Sequence, residues 1–230
     1  NFSAADYNPT GYVSDLRVIN GTGLYSSNFT PPTAPVTAVT NTKLLTCNDT
    51  PNIFDGAGKN SNLTLGGTAK SSTAYTKNAS ASMLFDGNSD YVELSNYDEY
   101  APGTNNFYVE FWMRYTGGSG TRNIIDNRGQ ANGYAIRLDS SHRITVYSEP
   151  SSSTKHTSAA LTQDQWYHVA FVRNSANSYL FIDGTQSGSA VTNADNYTST
   201  SMVIGAQHAK NQQYFGGYVE DVRIGQGINR

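Results

Sequence analysis

The chain has 230 residues, 37% of them apolar and only 14% charged, with 21 glycines, 16 tyrosines and a formal net charge of −3. That apolar content suffices for one large domain, and the slightly acidic balance offers no electrostatic footprint for nucleic acid or an anionic membrane surface. The lone cysteine, Cys47, excludes an intramolecular disulfide and reads as a small buried side chain, and no run of eighteen apolar residues exists to enter a membrane. Helical periodicity is absent: every window with apolar residues at i, i+3, i+4 and i+7 is interrupted by Gly, Pro or Asn.

Near the start, Gly11-Tyr-Val-Ser-Asp-Leu-Arg-Val18 matches Gly217-Tyr-Val-Glu-Asp-Val-Arg-Ile224 at five of eight positions, with an offset of 206 residues. An offset of that size is a domain repeat and not a solenoid period. Residues 1–24 are therefore expected to be the C-terminal tail of a preceding repeat, and the chain a segment of a longer protein. Residues 25–41, with Pro31, Pro32 and Pro35, read as a stiff linker, and 42–230 as a complete second copy. A single final strand over 12–18 cannot bury Val13, Leu16 and Val18 by itself, so it is expected to pair with a neighbouring copy or to pack on this domain.

After the linker, residues 43–47 read as a strand and 48–65 as a polar, turn-rich stretch. Residues 82–94 read as a hairpin turning at 86–89, followed by a long alternating strand over 106–115 and shorter ones at 122–126, 133–138 and 143–147. The segment from Gln165 to Gly184 reads as a second hairpin with a four-residue loop, 174–177, and a closing Asp183-Gly184 turn that leads into a third strand. Along it Trp166, His168, Ala170 and Val172 face one way and Tyr167, Val169 and Phe171 the other. Strands at 201–205 and 218–224 complete the set. More than ten short strands with close turns predict an all-β, two-sheet antiparallel jelly-roll sandwich.

Five of these segments, in order, carry a family resemblance. Leu84-Phe-Asp-Gly with Asp90-Tyr-Val92, Phe107-Tyr-Val-Glu-Phe-Trp-Met-Arg114, Trp166-Tyr-His-Val-Ala-Phe-Val-Arg173, Leu180-Phe-Ile-Asp-Gly184 and Gly217 to Ile224 together resemble a laminin-G-like domain of the concanavalin A-like superfamily. The resemblance covers roughly 42–230 and implies the jelly-roll fold. The join around Leu24-Tyr25 and Phe29-Thr-Pro-Pro32 is similar to joins in phage structural proteins and bacterial surface proteins, which implies an extracellular or virion-surface setting. The fold alone names no ligand, because it serves lectins, adhesion modules, glycosidases and spacers.

A hydrolase on this fold needs two carboxylates poised on one face. No such set is legible: Glu110 sits in a structural strand, and the adjacent Glu220 and Asp221 project oppositely. His142, His156, His168 and His208 have no nucleophile-elbow context, so no catalytic residue is assigned. Asp86, Asn88 and Asp90 have the oxygen-rich Asp-x-Asn-x-Asp spacing of a calcium loop and are the candidate metal ligands. Tyr91 and Tyr97 replace the glycine and closing glutamate of an EF-hand, and the alternative is a turn in which these carboxylates accept backbone amides. For sugars, the candidates are Tyr97 and Tyr100 with Asp126, Asn127 and Arg128 at a strand end, against the alternative that the tyrosines cover the core rim. Seven Asn-x-Ser/Thr sequons are the chance yield of an Asn- and Thr-rich sequence outside a eukaryotic secretory route. The expected function is a non-enzymatic structural and adhesion module of a virion or cell-surface appendage that contacts surface glycans. The alternative is a purely architectural repeat, with a polysaccharide hydrolase behind it. Expected partners are neighbouring copies through residues 1–24, without nucleic acid or membrane insertion; the hairpin of 165–184 is read as scaffold.

Overall fold

The computed structural model describes residues 16–19, 42–46, 62–95, 98–129 and 132–227. Cys47, all of residues 25–41 and Tyr97 lie outside them. The chain forms two compact units, 1–52 and 53–230. In the first, β1 (Leu16–Ile19) pairs antiparallel with β2 (Thr42–Thr46), setting Leu16 opposite Thr46 and Val18 opposite Leu44. β1 thus has its ladder partner in residues 42–46.

The second unit begins with β3 (Asn62–Gly66), β4 (Lys70–Ser72), β5 (Ser82–Asp86), β6 (Tyr91–Ser95) and β7 (Phe107–Tyr115). It continues through β8 (Arg122–Asp126), β9 (Tyr134–Leu138), β10 (Arg143–Ser148), β11 (Ser153–Ala160), β12 (Tyr167–Asn174) and β13 (Asn177–Ile182). The short β14 (Thr185–Gln186), β15 (Val191–Thr192) and β16 (Met202–Ile204) precede the long β17 (Gly216–Gln226). One turn of 3₁₀ helix, Asp98–Tyr100, is the helical piece among the described residues. A seven-stranded sheet runs β11-β10-β9-β8-β16-β6-β3 and an eight-stranded sheet runs β14-β13-β12-β7-β17-β5-β4, with β15 beside β13. Every pairing is antiparallel. This is the all-β sandwich that the strand count predicts.

The alternation in β7 shows why the sheets stack. Phe107, Val109, Phe111, Met113 and Tyr115 are buried between the sheets, while Tyr108, Trp112 and Arg114 on the other face are half-buried. Phe107 anchors an aromatic cluster with Tyr134, Phe171 and Tyr197 at 5.3, 5.4 and 5.8 Å between ring centroids. Each such ring contributes about 1.5–3 kcal/mol by leaving water. Arg173, on β12, is also fully buried. Its guanidinium donates to the carbonyls of Gly103, Asn105 and Asp195 at 2.6–2.9 Å and lies over the Phe107 and Tyr197 rings.

Three local expectations change, the first being that residues 62–65, read as the end of a turn-rich stretch, belong to β3 and pair with β6. Residues 82–94 are not a hairpin: β5 pairs with β4 and β17, β6 pairs with β3 and β16, and the turn between them carries the chain from one sheet to the other. The hairpin of 165–184 does form, but Asn174 and Asn177 are themselves a ladder pair, leaving a two-residue turn with Ser175 at φ 57°. Asp183 at φ 50° and Gly184 at φ 76° then make the tight turn into β14, as the Asp-Gly dipeptide predicts.

Candidate functional site

The outward face of the eight-stranded sheet concentrates the chemistry. Register aligns His168 on β12, Trp112 on β7 and Glu220 on β17 in one row, and Ala170, Glu110 and Arg223 in the next. Between Glu220 and Arg223 the ladder with β7 slips by one residue, and Asp221 takes φ 52°. This bulge turns both Glu220 and Arg223 outward although they are three positions apart.

Residues 73–81, between β4 and β5, form a strap across this face. The Glu220 carboxylate, 3% exposed, accepts the backbone amides of Lys77, Asn78 and Ala79 at 2.8, 2.6 and 2.6 Å. The Ser82 hydroxyl donates to the Tyr75 carbonyl at 2.6 Å. With its amide oxygen turned to the ring, Asn78 accepts from Trp112 Nε1 at 3.0 Å. The Lys77 ammonium lies 4.7 Å from the centre of the Trp112 ring, and the His168 ring meets Trp112 edge-on at 5.2 Å.

Beside the strap is a depression of about 530 Å³ lined by Lys77, Trp112, Trp166, His168, Asp183 and Gly184. It holds both tryptophans of the chain. Reciprocal hydrogen bonds fix its far wall: His168 N donates to Asp183 Oδ1 at 2.8 Å and Asp183 N to the His168 carbonyl at 2.9 Å. Two large rings, a cation and a carboxylate around one hollow suit a flat molecule rich in hydroxyl groups. A second depression, about 510 Å³ at the rim of the same sheet, is lined by Thr104, Asn105, Asn106, Ser175, Gln226 and Gly227 and has no aromatic wall.

The two glutamates of this face are committed elsewhere. Glu220 accepts the three strap amides. Glu110 faces Arg223 at 3.6 Å and His168 at 3.7 Å. Of the other histidines, His156 is buried with Nε2 2.9 Å from Ser178 Oγ, and burial, followed by the nearby Lys155 charge, pushes its pKa down.

The calcium candidates lie in the turn that crosses between the sheets. The Asp86 carboxylate accepts the amides of Asn88, Ser89 and Asp90 at 2.8, 2.9 and 3.1 Å. Burial works to raise its pKa, but these amides outweigh it and hold the group below its ordinary value. Asp90, 2% exposed, accepts from Thr68 N at 2.5 Å, Thr68 Oγ1 at 3.1 Å and Asp86 N at 2.9 Å. The two carboxylates serve as acceptors for the turn, and Asn88 enters it through its backbone. Among the described residues no group of three or more His, Cys, Asp or Glu side chains is arranged to hold a metal.

The sugar candidates Tyr100, Asp126, Asn127 and Arg128 do come together, but the first three are buried and Arg128 is half-buried. Tyr100 is 6% exposed, and Asp126 and Asn127 are inaccessible. Asp126 accepts from Arg128 Nε, Nη2 and N, from Asn123 Nδ2 and from His208 N, at 2.6–3.1 Å. Burial tends to raise the Asp126 pKa, and the Arg128 and His208 donors bring it below the usual range. The Asn127 amide donates to the carbonyls of Tyr100, Ser199 and Ser201. This group ties loops to the sheet, so the expectation that it faces a sugar is corrected. Trp112, which lines the depression, was accessible to a parity argument: it alternates with the core residues of β7 and must point away from them.

A family model described as concanavalin A-like lectin/glucanases superfamily, of the laminin G type, matches residues 86–227, more than half of the chain. Among solved structures, domain 4 of AbnA, a GH43 extracellular arabinanase from Geobacillus stearothermophilus in complex with arabinotriose, is similar at 18% identity and TM-score 0.55 over 70% of this chain and 76% of that one. The binding domain of botulinum neurotoxin serotype D is similar at 16% identity and TM-score 0.60, over 76% of this chain and 45% of that one. A structure of botulinum neurotoxin type C, whose cell entry depends on interaction with two ganglioside molecules, matches at 13% identity and TM-score 0.57, over 74% and 44%. The chain spans less than half the length of these toxin domains, and at such identities the likeness is one of fold. No curated protein sequence matches the chain significantly. The matched family model and the two-sheet sandwich together make this chain a member of the concanavalin A-like lectin/glucanases superfamily, in its laminin-G branch.

Proposed function

We propose that the domain is a non-catalytic glycan-binding module of an extracellular protein, and that the depression between Trp112 and Trp166 is its sugar-facing surface. The observation that carries this reading is the convergence of both tryptophans of the chain, with Lys77, His168 and Asp183, on one hollow. Apolar ring faces stack on sugar rings while charged groups at the edge bond hydroxyls. The arabinotriose bound to the arabinanase domain and the ganglioside dependence of the type C toxin support the reading by analogy of fold. A binding role without hydrolysis is favoured because both glutamates of this face are engaged, Glu220 holding the strap and Glu110 facing Arg223 and His168.

The setting proposed is adhesion on a virion or cell-surface appendage, in which neighbouring copies joined through residues 1–24 form an array. Several weak sites in one array gain through effective concentration. The test is a glycan array with the whole chain and its Trp112→Ala and Trp166→Ala variants. Binding that both variants lose supports the proposal. Uniform silence of the wild-type chain favours the purely architectural repeat, and release of reducing sugar from a bound polysaccharide would replace binding by hydrolysis.

A further inference from the structure

The strap contributes more than the rim of the depression. Residues 73–80 are exposed throughout, yet their backbone is tied down by Glu220 and Ser82. Within the strap Tyr75 keeps 47% of its surface open to solvent; among the described residues only Leu65 is another large apolar side chain so exposed. Its ring lies 4.0 Å from the Arg114 guanidinium and meets the Tyr218 ring edge-on at 5.1 Å. Arg114 is itself steadied by Asp164 at 3.0 Å. A ring backed on one side by a guanidinium and open on the other is pre-organised for stacking, because little freedom remains to be lost on binding.

Position gives that ring its meaning. Arg114 and Trp112 are two residues apart on the outward face of β7, so their Cα atoms are about 7 Å apart along the strand. Trp166 and Trp112 line the depression, and Tyr75 lies over Arg114, the next outward residue of β7 after Trp112. Building on the glycan-binding reading above, we infer that Tyr75 is a second stacking platform and that the site grips an extended oligosaccharide chain instead of a single terminal sugar. Trp112 and Trp166 hold one part of that chain, and Tyr75, backed by Arg114 and Tyr218, holds the next.

Isothermal titration of the whole chain with arabino-, xylo- and cello-oligosaccharide ladders of increasing length tests this. In the ladder that binds, wild-type affinity rises with length. Tyr75→Ala weakens the longest ligands by about three- to tenfold while leaving the shortest unchanged, as expected for one lost aromatic contact. Tyr75→Phe, which keeps the ring, restores the wild-type profile. Equal affinity for short and long ligands, or a Tyr75→Ala profile identical to wild type, overturns the inference. In either case loss of binding at all lengths in Trp112→Ala leaves the primary depression standing. No binding in any ladder, or a Trp112→Ala variant that binds like wild type, removes the underlying reading as well.

Discussion

Glu220 and Lys77, 143 residues apart in the chain, meet at 2.8 Å, where the Lys77 amide donates to the Glu220 carboxylate. Asn78 and Ala79 add two shorter bonds to the same group. A side chain of the last strand thereby shapes a loop laid down near the start of the domain. Substituting Glu220 with alanine leaves three amides without their acceptor, at a cost of about 2–4 kcal/mol, or a fall in melting midpoint of roughly 5–15 °C. Glu220→Gln, which keeps one acceptor oxygen, loses less. Thermal unfolding followed by circular dichroism measures both.

Acid is expected to destabilise the domain in two steps. His156 has a folded pKa depressed first by burial and then by Lys155, so its contribution is complete above the unfolded value of about 6.5 and is lost as pH falls through that value toward the folded one. Asp86, Asp126, Asp139 and Asp195 are also depressed; burial opposes this in each, but their hydrogen bonds and cationic neighbours prevail. Their contribution is present above about pH 4 and is lost as pH falls through their folded values. Urea midpoints between pH 8 and pH 3 should show both steps, and His156→Gln should flatten the upper one alone.

Arg173 is a buried cation served mainly by carbonyls, which a lysine cannot reproduce. An ammonium is a point donor without the planar fork that reaches Gly103, Asn105 and Asp195 together. Arg173→Lys should cost about 2–4 kcal/mol in chemical denaturation, because buried carbonyls lose their donors.

If the Asp86–Asp90 turn is held by amides, chelation should leave its stability untouched. The melting midpoint is expected to be equal in calcium and in EDTA. Asp90→Ala, which strands the amides of Thr68 and Asp86, should lose about 1–3 kcal/mol in either condition. A calcium-dependent midpoint that disappears in Asp90→Ala would restore the metal reading.

Period-two alternation made β7, β12, β13 and β17 legible, because each has one face in the core. The same signal could not say which sheet a strand joins. Residues 82–86 and 91–95 look like a local hairpin, yet β5 pairs with β17, more than 130 residues later. β11, with exposed or half-buried Ser153, Thr154, Lys155 and Thr157, has almost no alternation to read. For the site, composition pointed to loop tyrosines and the Asp126-Asn-Arg128 cluster. Their burial depends on partners such as His208, 82 residues further on, which no local pattern reveals. Trp112 needed only the parity of its strand.

The slip at Asp221 gives the repeated Gly-Tyr-Val-x-Asp-x-Arg string a geometric meaning. Aspartate tolerates positive φ better than most residues, and the slip lets two non-alternating positions share a face. One residue inserted or deleted there would exchange inside for outside along the rest of the strand. The position occupied by Glu220 lies within this string, and the matching string at 11–18 has Ser14 there. A hydroxyl has two acceptor lone pairs and cannot receive three amides at once. One such string can therefore keep the same bulged scaffold while a single substitution decides whether it fastens a strap over its outward face.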